Sequence, residues 1–220
     1  MGRDPDPRRV TRGTSLLDLI AALPDLLMAG FCLAVWIDPY RFGTDAVGYV
    51  VLVMLLEFIV VHSAAFMGSL AVGAVEVKPL QRWGRTTGIL GLGVFYSLFV
   101  LGFCLAFHTW WPMAAFWLLT LNRLLGAIIG QGKTDEETKK LIAMGWGLGA
   151  ACYLLGAFAT TLLPVPRFGI ERSLEGVGGG LWVDEPWRPV AFGVLYFGMI
   201  GWYELRWRKW TRSPAPVTPG

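Results

Sequence analysis

Apolar residues run in blocks of about twenty along this chain, separated by short stretches of charge and turn residues. The blocks fall at about 17–37, 46–72, 88–108, 111–130, 141–163 and 189–206. A helix rises 1.5 Å per residue, so about twenty apolar residues match a hydrocarbon layer of about 30 Å. The connectors carry turn chemistry: "DPYRFGTD", "EVKPLQRWGRTT", "HTWW", "QGKTDEETKK" and the longer "PVPRFGIERSLEGVGGGLWVDEPWRP". The pattern predicts an all-α integral membrane protein, a bundle of six transmembrane helices over 17–206. A basic segment, 1–16, precedes the bundle. A tail, 207–220, ends in "SPAPVTPG" and is expected to be partly disordered. No internal repeat is visible.

Composition agrees with the pattern. Hydrophobic residues make up 55% of the chain and charged residues 16%, against about 25% charged in soluble domains. The net charge of +3 is spread over short connectors and gives no nucleic-acid footprint. The three cysteines, Cys32, Cys104 and Cys152, all lie inside apolar blocks. They are too dispersed for a disulfide framework or a zinc site and are expected to act as small buried hydrophobes. The first block contains Asp18 and Asp25 and ends without a small-residue cleavage site, so it is expected to be retained as a helix.

Charge sets the expected orientation. Fourteen of the nineteen Lys and Arg residues lie in the two termini and in the connectors around Lys78 and Lys133. Four lie in the other connectors, and Arg123 is inside a block. The excess of basic residues places both termini in the cytoplasm, with the chain in the cell membrane (the inner membrane, in a bacterium). Trp110, Trp111, Trp182 and Trp187 then fall at the outer interface, and Trp83, Trp207 and Trp210 at the inner one. The first block has a second reading. "TSLLDLIAAL" as an interfacial helix, with Pro24 opening the next helix, would bring Asp25 to the surface. Only thirteen residues then remain from Asp25 to Ile37, too few to span, so one long helix kinked at Pro24 is preferred.

Depth counted from the outer interface brings three charges to one level. Glu57 lies roughly 17 Å in, and Asp25 and Arg123 roughly 18 Å in, with Asn122 next to Arg123. Each charge would cost about 2.5–3.5 kcal/mol facing lipid. All three lie on faces with small residues suited to helix contact, such as Ala29 and Cys32, Ala64 and Gly68, or Gly126 and Gly130. Asp25, Glu57, Asn122 and Arg123 are therefore the expected intramembrane polar cluster, with a Glu57–Arg123 pair at its centre.

His62 is five residues from Glu57, about 140° around the helix, and belongs to another face. It is expected near the cytoplasmic side at the level of Glu204. The two make a candidate proton relay, and Ser69 lies on the same face as His62. The alternative is a histidine hydrogen-bonded to a neighbouring helix. In the longest connector, Asp184, Glu185 and Arg188 are candidates for an outer lid; the alternative is a mobile loop that only connects.

No catalytic motif, metal set or cofactor signature emerges. His62 and His108 are expected on opposite sides of the membrane and cannot ligate one haem, and HExxH, CxxC and GxSxG are absent. "GILGLG" and "GWGLGA" read as helix-packing surfaces. Three functions remain. The first is a structural or accessory subunit of a membrane assembly, with the charged cluster locking helices. The second is a transporter or channel for a proton, ion or small solute through the Asp25/Glu57/Arg123 level. The third is a lipid-acting membrane enzyme using His62 or His108. The expected partners are the bilayer and other membrane subunits or further copies, with no nucleic acid.

Overall fold

The computed structural model describes residues 16–43, 45–71, 81–129, 136–171, 174 and 179–206. Of residues 16–18, 21, 69, 71, 81–83, 85, 122, 123, 126–129, 136–139, 141 and 142 it describes the backbone alone. The described residues are all helical or irregular, without strands. The helices are α1 (Leu16–Ile37), α2 (Ala46–Ala71), α3 (Gln81–Ala106), α4 (Trp111–Ile129), α5 (Glu136–Leu162), α6 (Leu181–Asp184) and α7 (Trp187–Arg206), with a 3-10 turn at Pro39–Phe42. All six apolar blocks fold as helices. Both short elements lie in connectors. α3 and α5 begin several residues before their apolar blocks, because backbone hydrogen bonding continues through polar sequence that hydropathy leaves out.

Three segments are long and apolar enough to cross a membrane: Ala46–Gly68, Thr86–Ala106 and Ala143–Leu162. Ala22–Ile37 and Trp111–Leu121 are shorter apolar helices. α1 runs unbroken through Pro24, so no new helix opens at that proline. Pro24 has no N–H to donate to the carbonyl four residues earlier, which leaves Ile20 without its usual intrahelical donor.

α2 is apolar all round because it is packed on both sides. Val47, Val50, Met54 and Val61 join a core with Cys32 and Val35 of α1, Tyr153 of α5, and Val190, Phe192, Tyr196 and Phe197 of α7. Leu56, Ile59 and Met67 face a second core with Ile89, Val100 and Cys104 of α3 and Phe116 of α4. The buried serine and threonine hydroxyls of the described residues bond within their own helices, each donating to a carbonyl three or four residues back. Ser63 donates to Val60, Thr120 to Phe116 and Thr160 to Gly156. Such bonds satisfy the hydroxyl hydrogen inside an apolar helix.

α1 and α7 pack antiparallel. A Cβ on Gly201 would lie 2.8 Å from the Leu26 side chain and one on Gly193 2.9 Å from the Cys32 sulfur, so the two backbones approach where glycine removes the side chain. The start of α1 and the end of α7 consequently share one end of the bundle. On α5, Gly156 leaves room for the Phe192 ring, whose nearest carbon would be 2.6 Å from an added Cβ.

Candidate functional site

Glu57 projects from the α2 face that carries Val50, Met54 and Val61, toward α5 and α7. Its Oε1 accepts a hydrogen bond of 2.8 Å from the Tyr196 hydroxyl of α7. Asp25, on the inward face of α1 with Ala22 and Cys32, lies within electrostatic reach of both Glu57 and Tyr196. Tyr153 of α5 stands beside them. Its ring centroid is 5.4 Å from that of Tyr196 and 4.8 Å from that of Phe192, and its hydroxyl donates to the Met54 carbonyl at 2.7 Å. Glu57, Tyr196 and Tyr153, from three helices, thus form one group beside Phe192 and Phe197, with Asp25 of α1 within electrostatic reach. Both carboxylates are partly buried, and no charged side chain is among the fully buried ones of the described residues.

Of the residues expected in the cluster, Asp25 and Glu57 lie within electrostatic reach of one another. The side chains of Asn122 and Arg123 lie outside the described residues, and with them the Glu57–Arg123 pair. α4, which carries both, packs against α3 and against the opposite face of α2, the face of Leu56 and Ile59. The partner described for Glu57 is Tyr196. Among the described residues the ion pair is Arg188–Glu185, at the start of α7.

A second set of bonds ties α5 to α2. Trp146 Nε1 donates to the Val61 carbonyl at 2.8 Å, and Tyr153 does the same to Met54. The donors are seven residues apart on α5 and the acceptors seven apart on α2, in opposite order, which fixes an antiparallel register over two turns. His62 lies on another face. Its Nδ1 bonds the Phe58 carbonyl of its own helix at 3.0 Å, and the rings of Phe58 and His62 stack with centroids 4.1 Å apart. With Nδ1 as donor, Nε2 is the nitrogen left to accept. Glu204 sits near the end of α7, partly buried; the structure describes no bond between it and His62, and the Ser69 side chain lies outside the described residues.

The described parts of the longest connector are fastened to the helices beside them. Arg188 reaches the end of α5, where one guanidinium nitrogen donates to the carbonyls of Thr160, Thr161 and Leu163 at 2.7, 3.0 and 3.1 Å, while its Nε bonds Glu185. A cation on the last carbonyls of a helix satisfies acceptors that have no intrahelical donor and complements the helix dipole. Arg167 lies over the Trp187 ring at 4.3 Å. Trp36 Nε1 donates to the Pro166 carbonyl at 2.9 Å, and Gly169 N–H to the Trp36 carbonyl at 3.2 Å. Gly169 is required here, since a Cβ would come within 2.5 Å of the Ile37 carbonyl oxygen. Of the three lid candidates, Glu185 and Arg188 are engaged in this fastening and Asp184 is exposed at the end of α6.

Tyr153, Tyr196 and Trp146 did not stand out in the sequence. Tyrosine and tryptophan in membrane proteins are most often interfacial, and depth counted from helix ends puts Tyr196 well short of Glu57. Stagger between helices and the length of a phenol side chain close that gap. No group of three or more metal-ligating side chains occurs among the described residues. A largely apolar cleft of about 470 Å³ lies between α5 and α7, lined by Met144, Leu148, Cys152, Met199, Trp202 and Tyr203. Comparison with protein-family models, with curated proteins and with solved structures finds no match for this chain.

Proposed function

We propose that the chain is a six-span integral membrane protein of the cell membrane, with both termini cytoplasmic, that serves as a structural or accessory subunit of a membrane assembly. The observation that carries this reading is how the polar side chains are used. Tyr196 bonds Glu57, Tyr153 and Trp146 bond α2 carbonyls, and Arg188 bonds the end of α5. Each joins one helix to another, as expected of groups that hold a bundle in one arrangement where hydrophobicity alone gives little specificity. Leu98, Leu118, Leu155 and Phe158, each more than 60% exposed, give the bundle an apolar exterior for lipid or neighbouring subunits.

A second reading, passage of a proton or cation at the Asp25–Glu57 level, is favoured by one observation. The two acids lie within reach of one another and neither is fully buried, and intramembrane carboxylates commonly mark ion pathways. Glu57→Gln separates the two readings, because it keeps an acceptor for Tyr196 and removes the charge. Under the subunit reading, the variant retains its co-purifying partners in mild detergent, and reconstituted vesicles show no proton or cation flux above empty vesicles with or without the substitution. A flux present in the unmodified protein and lost in Glu57→Gln, with partners retained, would replace it by the transport reading.

A further inference from the structure

We propose that the cleft between α5 and α7 binds one anionic phospholipid, with an acyl chain along the cleft and the phosphate between Lys140 and Arg206. The cleft volume, about 470 Å³, falls within the range of about 300–1,000 Å³ typical of pockets that hold small molecules. Its walls are two stripes. On α5, Met144, Leu148 and Cys152 recur every four residues, and Lys140 continues that ridge one turn earlier. On α7, Met199, Trp202 and Tyr203 follow helical spacing, and Arg206 continues their stripe one turn later.

The two helices are antiparallel, with Gly156 against Phe192 and Arg188 on the last carbonyls of α5. The start of α5 and the end of α7 therefore meet at the same end, and both cations, each exposed, flank the same mouth of the cleft. The apolar block of α5 opens directly after Lys140, which places that cation at the edge of the block, at headgroup level. An apolar slot with positive charge at one mouth is complementary to an amphiphile with an apolar tail and an anionic head. Trp202 lies at the same mouth, amphipathic and exposed, where it would border glycerol and the upper acyl chain.

The inference rests on the membrane reading above, which is tested separately: release of the chain from membranes by alkaline carbonate would remove that reading itself. The lipid site is tested with the purified full-length protein in mixed micelles. Phosphatidylglycerol and phosphatidylcholine carrying the same brominated acyl chains are titrated while tryptophan fluorescence is followed. The signal of Trp202 is the difference between the unmodified protein and Trp202→Phe. Phosphatidylglycerol is expected to quench Trp202 at lower concentration than phosphatidylcholine. Lys140→Gln and Arg206→Gln should each weaken that preference about fivefold, leaving maximal quenching unchanged. Both cations are exposed, so the variants should keep the parent's helical content and melting midpoint. Cys152→Phe, which fills the cleft, should abolish Trp202 quenching by either lipid. Equal quenching by the two lipids in the unmodified protein would overturn the site. So would shielding of Trp202 from both lipids by a second copy or another protein, detected as a dimer or complex by native mass spectrometry.

Discussion

Glu57 shows how much a single buried-facing acid depends on its neighbours. An unpartnered carboxylate in an apolar bundle carries a large desolvation cost, and here the Tyr196 hydroxyl meets it at 2.8 Å. Interhelical hydrogen bonds in membranes average about 0.6 kcal/mol and reach about 1.7 kcal/mol. Tyr196→Phe is therefore expected to lower stability by about 0.5–2 kcal/mol. Combined with Glu57→Ala in a double-mutant cycle, it should lose less than the two single effects added together. The readout is the unfolding midpoint of the purified protein in mixed micelles, and strict additivity would mean that the bond contributes nothing. The same cycle on Glu57→Gln and Arg123→Gln addresses the pair expected from equal depth, opposite charge and small-residue faces. With Glu57 turned toward α7 and α4 packed on the far face of α2, the two losses are expected to add. The presence of charges in otherwise apolar blocks was legible residue by residue. Their partners were not, because a tyrosine or tryptophan in such a block reads as one more hydrophobe until a carbonyl or carboxylate is set opposite it.

At the scale of elements, two contacts hold α5 against α7. One is steric: the Phe192 ring occupies the space that a side chain on Gly156 would need. Gly156→Ala is expected to cost about 1–3 kcal/mol by overpacking, and Phe192→Leu in the same chain should recover part of it. Recovery is the informative result, since a loss unaffected by shrinking Phe192 would place the strain elsewhere. The other contact is polar. Arg188→Gln removes a cation from three carbonyls and is expected to destabilise the α5–α7 end by about 1–2 kcal/mol. That loss should appear as faster hydrogen exchange over the last turn of α5 before any change in α2 or α3. Arg188→Lys should recover part of the effect, because it restores the charge without the fork of donors. The existence and order of the long helices were readable, since apolar content is a property of contiguous sequence, while the starts of α3 and α5 were placed seven and five residues late. α3 and α5 extend beyond their blocks because a helix ends where its hydrogen bonds do.

For the molecule as a whole, the antiparallel packing of α1 on α7 brings the first and last helices together, with the start of one beside the end of the other. Under the six-span reading both termini then face the cytoplasm. Cysteine substitutions at Lys133 and at Arg212 should label only after the membrane is opened, while a cysteine at Arg172 should label in intact cells. Outside labelling at Lys133 would require an odd number of crossings before it and sink that topology.

The sequence by itself determined the all-helical class and the segments long and apolar enough to cross a membrane, because both are written into contiguous runs of apolar residues. It also determined the expected orientation, since basic residues collect on one set of connectors. Tertiary structure alone decided which face of each helix meets which neighbour. It turned Glu57 toward Tyr196 and set Arg188 on the last carbonyls of α5. Hydropathy is nearly uniform around α2, which is buried on two sides. A pattern without an apolar face gives no direction, so direction came from glycine gaps and single hydrogen bonds whose partners lie as many as 139 residues apart.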